Sequence, residues 1–285
     1  MIQSIHAGDM MTLEVVRKAD FGYFLSNGQE DILLHNNEVK GALDIGSYVE
    51  VFIYQDHQGR NAATMAKPFI TTLHYDFVEV VGIEERLGVF VNIGIQKDML
   101  ISFEDLPEDR HKWPVVGGYL FCGLKCNKKG RLFAVIATEN IIEYERKDAT
   151  DEIFNKTLDG YVYRLLDDGA LLLTDDRYVA FIYKDEQTKR VKLGEKVTFR
   201  VTHVKENGKI NGSMRKRKEV SYVEDAERIY DYLKERKQMP YTDKTSPEII
   251  KEKFQISKAA FKRALGKLMK EGKIEQKDGW TYLLK

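Results

Sequence analysis

Aromatic rings, cations and a histidine recur along this 285-residue chain in an order that could grip a polyanion but offers little to covalent catalysis. The stretch Phe21 to His35, FGYFLSNGQEDILLH, places a bulky residue and Gly22 ahead of an aromatic-rich segment. It then turns at Asn27-Gly28 and ends on His35, and a turn glycine with a basic residue, Gly59-Arg60, follows. An exposed ring stacks on any base with little sequence preference, at ~1–3 kcal/mol per base. Arginine pairs with phosphate through a planar fork, or stacks on a base itself. Spacing alone leaves two readings of Phe21 and Phe24. Residues three apart on a regular strand face opposite sides, so the rings share a face only if Gly22 admits a bend or bulge; otherwise they belong to the core. Motifs for other chemistry are missing: there is no GxxxxGK[ST], no GxSxG and no HExxH. Asp167-Asp168 and Asp175-Asp176 read as turn formers. Cys122 and Cys126 lie four residues apart on an expected strand, about 13 Å at ~3.3 Å per residue, too far for a disulfide. No catalysis, metal or cofactor is therefore expected.

The elements that would position these residues follow from repetition. The first pattern returns as LGVFVNIGIQKDMLIS, Leu87 to Ser102, and more faintly as DGALLLTDDRYVAFIY, Asp168 to Tyr183. Each is followed by a glycine, an alternating strand and a turn glycine with a basic residue: Gly46 to Gly59-Arg60, Gly117 to Gly130-Arg131, and Gly194 to Gly208-Lys209. Two landmarks recurring three times in one order imply three copies of one domain. Five short strands per copy, bounded by Gly and Asn turns, predict small antiparallel barrels over residues 1–66, 67–145 and 146–221. From about Tyr222 the period becomes helical. Ala226, Ile229, Tyr230 and Leu233 mark one amphipathic helix, Ser246-Pro247 starts a second, and Ser257 caps a third with a stripe of Phe261, Ala264, Leu265 and Leu268. A hairpin at Asp278-Gly279 closes residues 222–285, which therefore look like a winged helix. The fold class expected is mainly β with an α/β C-terminal domain: tandem five-stranded OB-fold barrels plus a winged helix-turn-helix domain.

Charge sharpens the division. Residues 1–145 carry 13 basic and 21 acidic side chains, a net −8, and residues 146–285 carry 32 and 24, a net +8. That asymmetry points to a polyanion engaging mainly the C-terminal half. The cations gather around the boundary of its two domains. Lys196 and Arg200 share the polar face of one strand, Lys205 and Lys209 flank the next turn, and Arg215, Lys216, Arg217 and Lys218 run consecutively. The third helix of the last domain adds Lys258, Lys262, Arg263 and Lys267. No apolar run approaches the ~20 residues that span a bilayer, and no signal peptide is evident. A cytoplasmic monomer with no membrane partner is expected.

The FGYF…LLH pattern, with Asp56 and Gly59-Arg60, resembles the S1 RNA-binding domain, a version of the OB-fold. In that family two aromatics, a histidine, an acidic residue and an arginine line one face and contact single-stranded RNA. The resemblance assigns those roles to Phe21, Phe24, His35, Asp56 and Arg60. The second copy keeps Phe90 and Arg131 but has Leu87, Ser102 and Asn127 at the other positions. The third has Asp168, Leu171, Tyr183, Lys205 and Lys209, which puts ring stacking in doubt there while adding positive charge. Three S1-like barrels followed by a winged helix, taken whole, resemble the conserved virulence factor B family. That resemblance implies a cytoplasmic RNA-binding protein that affects virulence gene expression. Two alternatives stay open: a transcription regulator whose winged helix binds DNA, and an adaptor docking on ribosome or RNA polymerase components.

Overall fold

The structure is a computed structural model, and it describes residues 4–215 and 218–284. Its contacts divide the chain into two compact units, residues 1–214 and 215–285.

The first unit holds three five-stranded sheets of one design. In the first, β1 (Met10–Ala19), β2 (Gly22–Ser26), β3 (Asp31–His35), β4 (Tyr48–Gln55) and β5 (Asn61–Thr64) close a barrel in the order β1-β2-β3-β5-β4. The second comprises β6 (Asp76–Glu84), β7 (Gly88–Asn92), β8 (Met99–Ser102), β9 (Tyr119–Cys126) and β10 (Leu132–Ile136). Their order is β10-β9-β6-β7-β8, with the edges β8 and β10 side by side. A short helix, α1 (Glu139–Glu145), leads to the third. There β11 (Thr157–Leu165), β12 (Gly169–Thr174), β13 (Val179–Tyr183), β14 (Lys196–Val204) and β15 (Ile210–Ser213) close in the order of the first barrel.

Alternation builds each interior. On β4, Val49, Val51 and Ile53 point inward with Leu13, Val15, Leu25 and Leu34; on β14, Val197, Phe199 and Val201 do the same. Each first strand carries a bulge at one place, Val15/Arg17, Val80/Gly82 and Val162/Arg164. Below the bulge the same backbone bonds tie the strand to the residues before the fourth: Gly46 N to Val15 O at 2.8 Å, Gly117 N to Val80 O at 2.8 Å, Gly194 N to Val162 O at 2.7 Å. A bulge increases local twist, which lets five strands close on so small a core.

The barrels are welded rather than strung. Phe52, buried although it sits on β4 of the first barrel, packs into the core of the second with Ala7 and Tyr54. Burial, and then Glu38, raise the Tyr54 hydroxyl to a pKa of about 12. Between the second and third barrels, Arg177 lies over the rings of Phe121 at 4.4 Å and Phe77 at 5.1 Å, and donates to Asp76 at 2.8 Å. Cys122 is buried and Cys126 half-buried, both free; burial pushes the Cys122 thiol upward.

The second unit contains α2 (Lys218–Arg236), β16 (Gln238–Met239), α3 (Pro247–Phe254), α4 (Lys258–Lys270), β17 (Ile274–Lys277) and β18 (Trp280–Leu283), with sheet order β16-β18-β17. This is a winged helix. Its first helix begins at Lys218, at the end of the run of cations and ahead of the helical period expected from about Tyr222. Ser246 and Ser257 cap α3 and α4 as expected, accepting from Ile249 N and Ala260 N. Ala226, Ile229, Leu233, Ile250, Phe261, Leu265 and Leu268 form the core. Among the described residues no helix is long and apolar enough to cross a membrane.

Candidate nucleic-acid interface

One backbone device places the recurring residues. Gly22 pairs with His35, Gly88 with Ser102 and Gly169 with Tyr183, where the second strand begins and the third ends. A Cβ on these glycines would stand 2.3 Å from Leu34 O, 2.0 Å from Ile101 O and 2.3 Å from Ile182 O, so only glycine fits. The residue before each glycine then accepts a backbone hydrogen bond: Asn36 N to Phe21 O at 3.0 Å, Phe103 N to Leu87 O at 2.9 Å, Lys184 N to Asp168 O at 2.8 Å. That bond holds Phe21 just outside the strand, free of its alternation. Phe21 is 50% exposed, and its ring meets that of Phe24 edge-on with centroids 6.1 Å apart. The core reading of Phe21 therefore gives way to a surface pair of rings.

Around that pair the first barrel is already internally satisfied. The Arg17 guanidinium covers the Phe24 ring at 3.7 Å. His35 uses Nδ1 to accept from Asn37 N at 3.3 Å, capping a 3-10 turn. Asp56 accepts from Gln58 N at 2.8 Å and Arg60 N at 3.0 Å, fixing the β4–β5 turn, and binds the Arg60 guanidinium at 2.8 and 2.7 Å. Burial works to raise the Asp56 carboxyl, but the hydrogen bonds from Arg60 and Gln58 outweigh it and hold the pKa below the ordinary value.

The second barrel changes two of these terms. Opposite Phe90 stands Gly82, with no side chain to cover the ring. Asn127 takes the place of Asp56 and accepts from Lys129 N at 2.9 Å and Arg131 N at 3.0 Å. The turn is the same without a carboxylate, and Arg131 forms no salt bridge among the described residues. Lys97 reaches from this barrel to the first, donating to Gln55 O at 2.6 Å and Asp56 O at 3.1 Å. Burial lowers its pKa; Arg131 adds to the shift and Asp56 opposes it.

The third barrel forms a groove of about 410 Å³ lined by Asp168, Leu171, Phe181, Tyr183, Lys205 and Lys209, among others. Its rings are Phe181 and Tyr183, edge-on with centroids 4.7 Å apart. Phe181 stands across from Leu171 as Leu33 does from Phe24, so the ring has crossed from the second strand to the third. The sequence reasoning missed Phe181 because it sought aromatics at the positions of the first copy. The signal was present, since Phe181 and Tyr183 are two apart on a strand and share a face. Lys209 is bonded to Glu143 on α1, and hydrogen bonds from Lys209 and Arg146 hold the Glu143 carboxyl below its ordinary pKa. Lys205 forms no salt bridge among the described residues.

Other expected residues stand apart from this groove. Lys196 and Arg200 are on β14, which pairs with β11 and β15. Lys196 lies 3.2 Å from Asp159; Arg200 donates to Asn155 at 3.3 Å, and its Nε is buried without a partner. Neither lines the groove with Lys205 and Lys209. Arg215 is exposed after β15. Lys216 and Arg217 lie outside the described residues, and Lys218 opens α2. On α4, Lys262 and Arg263 are exposed and Lys258 half-buried, and Lys267 lies 3.9 Å from Glu271.

Comparison with known proteins extends this description. Residues 7–66 match the S1 domain model. Residues 75–135 match the CvfB first S1-like domain, 142–216 the second domain of virulence regulatory factor CvfB, and 227–283 the CvfB-like winged helix domain. The chain is 37% identical over 278 residues to conserved virulence factor B of Staphylococcus saprophyticus, covering 95% of this chain and 92% of that one. It is 46% identical over 280 residues to the uncharacterized protein YitL of Bacillus subtilis, covering 98% and 94%. Among solved structures it resembles a multidomain protein with nucleic acid binding domains from Streptococcus pneumoniae, with a TM-score of 0.67, 28% identity and 98% of each chain covered.

Proposed function

The chain belongs to the conserved virulence factor B family, and on that premise we propose that it regulates gene expression post-transcriptionally, virulence genes included, by holding single-stranded RNA on its barrels. The observation that carries this reading is an edge-on pair of rings, one exposed and one half-buried, beside the glycine crossing of two barrels: Phe21 with Phe24 and Phe181 with Tyr183. Rings offered to solvent stack on base faces, and a duplex hides those faces, so the arrangement favours single strands. Lys205, in the groove with Phe181 and Tyr183, and Arg131, on the β9–β10 turn of the second barrel, supply phosphate contacts. The S1-like character of the barrels supports RNA over DNA. The same reading extends to His35, Asp56, Arg60 and Phe90 as parts of that face, and to Arg215 and the α4 cations as auxiliary phosphate contacts.

A second reading rests on α4. Ala259 and Gly266 are exposed beside Arg263 and Lys270, and a Cβ on Gly266 would meet nothing within 4 Å. Small residues between cations permit close approach to a phosphate backbone. No Asn or Gln on α4 offers the bidentate adenine contact, so this face suits backbone contact rather than base reading. Competition among single-stranded RNA, single-stranded DNA and duplex DNA for the full chain separates the two. Preference for single-stranded RNA supports the first reading; preference for duplex DNA supports the second.

A further inference from the structure

Beside the stacking groove, between the second and third barrels, lies a separate cleft of about 850 Å³. Five cations line it, Lys112, Lys184, Lys189, Arg190 and Lys192, against one carboxylate, Asp167. Lys112 comes from a 3-10 turn of the second barrel, and the other four from the connection between β13 and β14. Lys189 is held by Glu195 at 2.5 Å. The remaining four cations form no salt bridge among the described residues. Like charges gathered with so little compensation raise the local potential and attract an anion.

The chemistry of the lining decides which anion. Its one aromatic side chain is His111, so the cleft offers charge to phosphates and almost no ring surface to a base. The groove next door offers the reverse, two rings with Lys205 and Lys209. The two share a border. Asp168 and Tyr183 line the groove, their neighbours Asp167, Gly169 and Lys184 line the cleft, and Gly169 pairs with Tyr183. A chain that leaves the groove over that residue pair enters the cleft directly.

We infer that the cleft receives the sugar–phosphate backbone of the strand whose base stacks on Phe181 and Tyr183. The third barrel's site thereby extends onto the Arg110–Lys112 turn of the second. This rests on the reading that the protein binds single-stranded nucleic acid, and it adds a direction: the strand runs from the third barrel's groove toward the second barrel.

The test uses the full chain and the triple variant Lys112→Gln, Arg190→Gln, Lys192→Gln, which leaves the Lys189–Glu195 pair and every stacking residue intact. The probes are two oligouridines, one of about 4 nucleotides to fill the groove and one of about 12 to reach the cleft. With the long strand the variant should bind more weakly, and its log-affinity against log-salt slope should fall by roughly 2, about 0.7 for each of the three cations removed. With the short strand it should match the parent. In the parent, the long strand should protect Lys184 and Lys192 from acetylation and the short one should not. An unchanged slope with no protection overturns the inference, as does an equal loss for both strands. If the parent binds neither strand, the underlying reading fails instead.

Discussion

In the first barrel the paired rings, exposed Phe21 and half-buried Phe24, stand just before and on the second strand. In the third, Phe181 and Tyr183 stand on the third strand. The backbone around them is the same in bulge, glycine crossing and β4–β5-type turn. Neighbouring strands lie ~4.8 Å apart and present cross-strand pairs on one face, so a ring can change strands and still occupy nearly the same place. Charge differs more than shape. The first barrel closes Arg60 onto Asp56, whereas the third replaces both by lysines and holds one of them on Glu143. The barrel thus specifies where a ligand could lie, and the side chains decide how strongly that place attracts a polyanion.

The largest effect should come from the shared backbone. Gly22→Ala and Gly169→Ala each force a Cβ into a carbonyl oxygen, and overpacking of this kind costs on the order of 3 kcal/mol. Thermal denaturation should show both variants clearly destabilised. Unchanged melting of either would mean that the crossing is not the device common to the barrels.

Next comes the contrast between the rings themselves. The double variant Phe181→Ala, Tyr183→Ala should weaken single-stranded RNA binding by ~1–3 kcal/mol for each base that stacks, roughly 5- to 150-fold. Phe21→Ala, in the net-acidic half, should have a smaller effect on binding. Because Phe21 and Tyr183 are about half exposed, single truncations of either should move the melting temperature little. A larger binding loss for Phe21→Ala than for the double variant would reverse the ranking of the two barrels.

The charge difference can be edited directly. Asp56→Asn copies the second barrel's Asn127 and should free Arg60 without losing the turn. Glu143→Gln should free Lys209. Each variant should bind RNA more tightly, with a salt slope steeper by about 0.7. Glu143 also predicts a pH effect. Its pKa is depressed from 4.5, so its stabilising contacts to Lys209 and Arg146 are complete above pH 4.5 and are lost as pH falls through the lower folded value. Hydrogen exchange of α1 across that range should show the helix loosening toward acid, with no such change in Glu143→Gln.

The smallest expected effect lies in the second unit. Gly266 sits mid-helix with open space where a Cβ would go, so Gly266→Ala should stabilise the winged helix by ~0.5–1 kcal/mol. Calorimetry checks the gain. Weaker nucleic-acid binding in the stabilised variant would show that the bare face of α4 is a contact face.

Much of this architecture was legible in the chain because it is written in local periods. The glycine-bounded hairpins, the alternation of Val197, Phe199 and Val201, and the caps at Ser246 and Ser257 depend on neighbours in sequence. What was not legible depends on partners far away. Nothing near Lys209 announces Glu143 on a helix 66 residues earlier, nor does β14 announce that Lys196 would sit against Asp159. Phe181 was overlooked for a different reason: aligning the copies position by position assumes that a ring stays on its strand, and the pairing of Leu171 with Phe181 breaks that assumption. The start of α2 at Lys218 was hidden by a run of cations with no apolar period.

The central claim is that bases stack on the barrel rings. Photocrosslinking of the full chain to an oligomer containing 4-thiouridine, with the adducts located by mass spectrometry, tests it most directly. The account predicts adducts at Phe181 and Tyr183 first, and at Phe21 and Phe24 more weakly. Adducts confined to residues 218–284, or to Lys196 and Arg200 on β14, would contradict it.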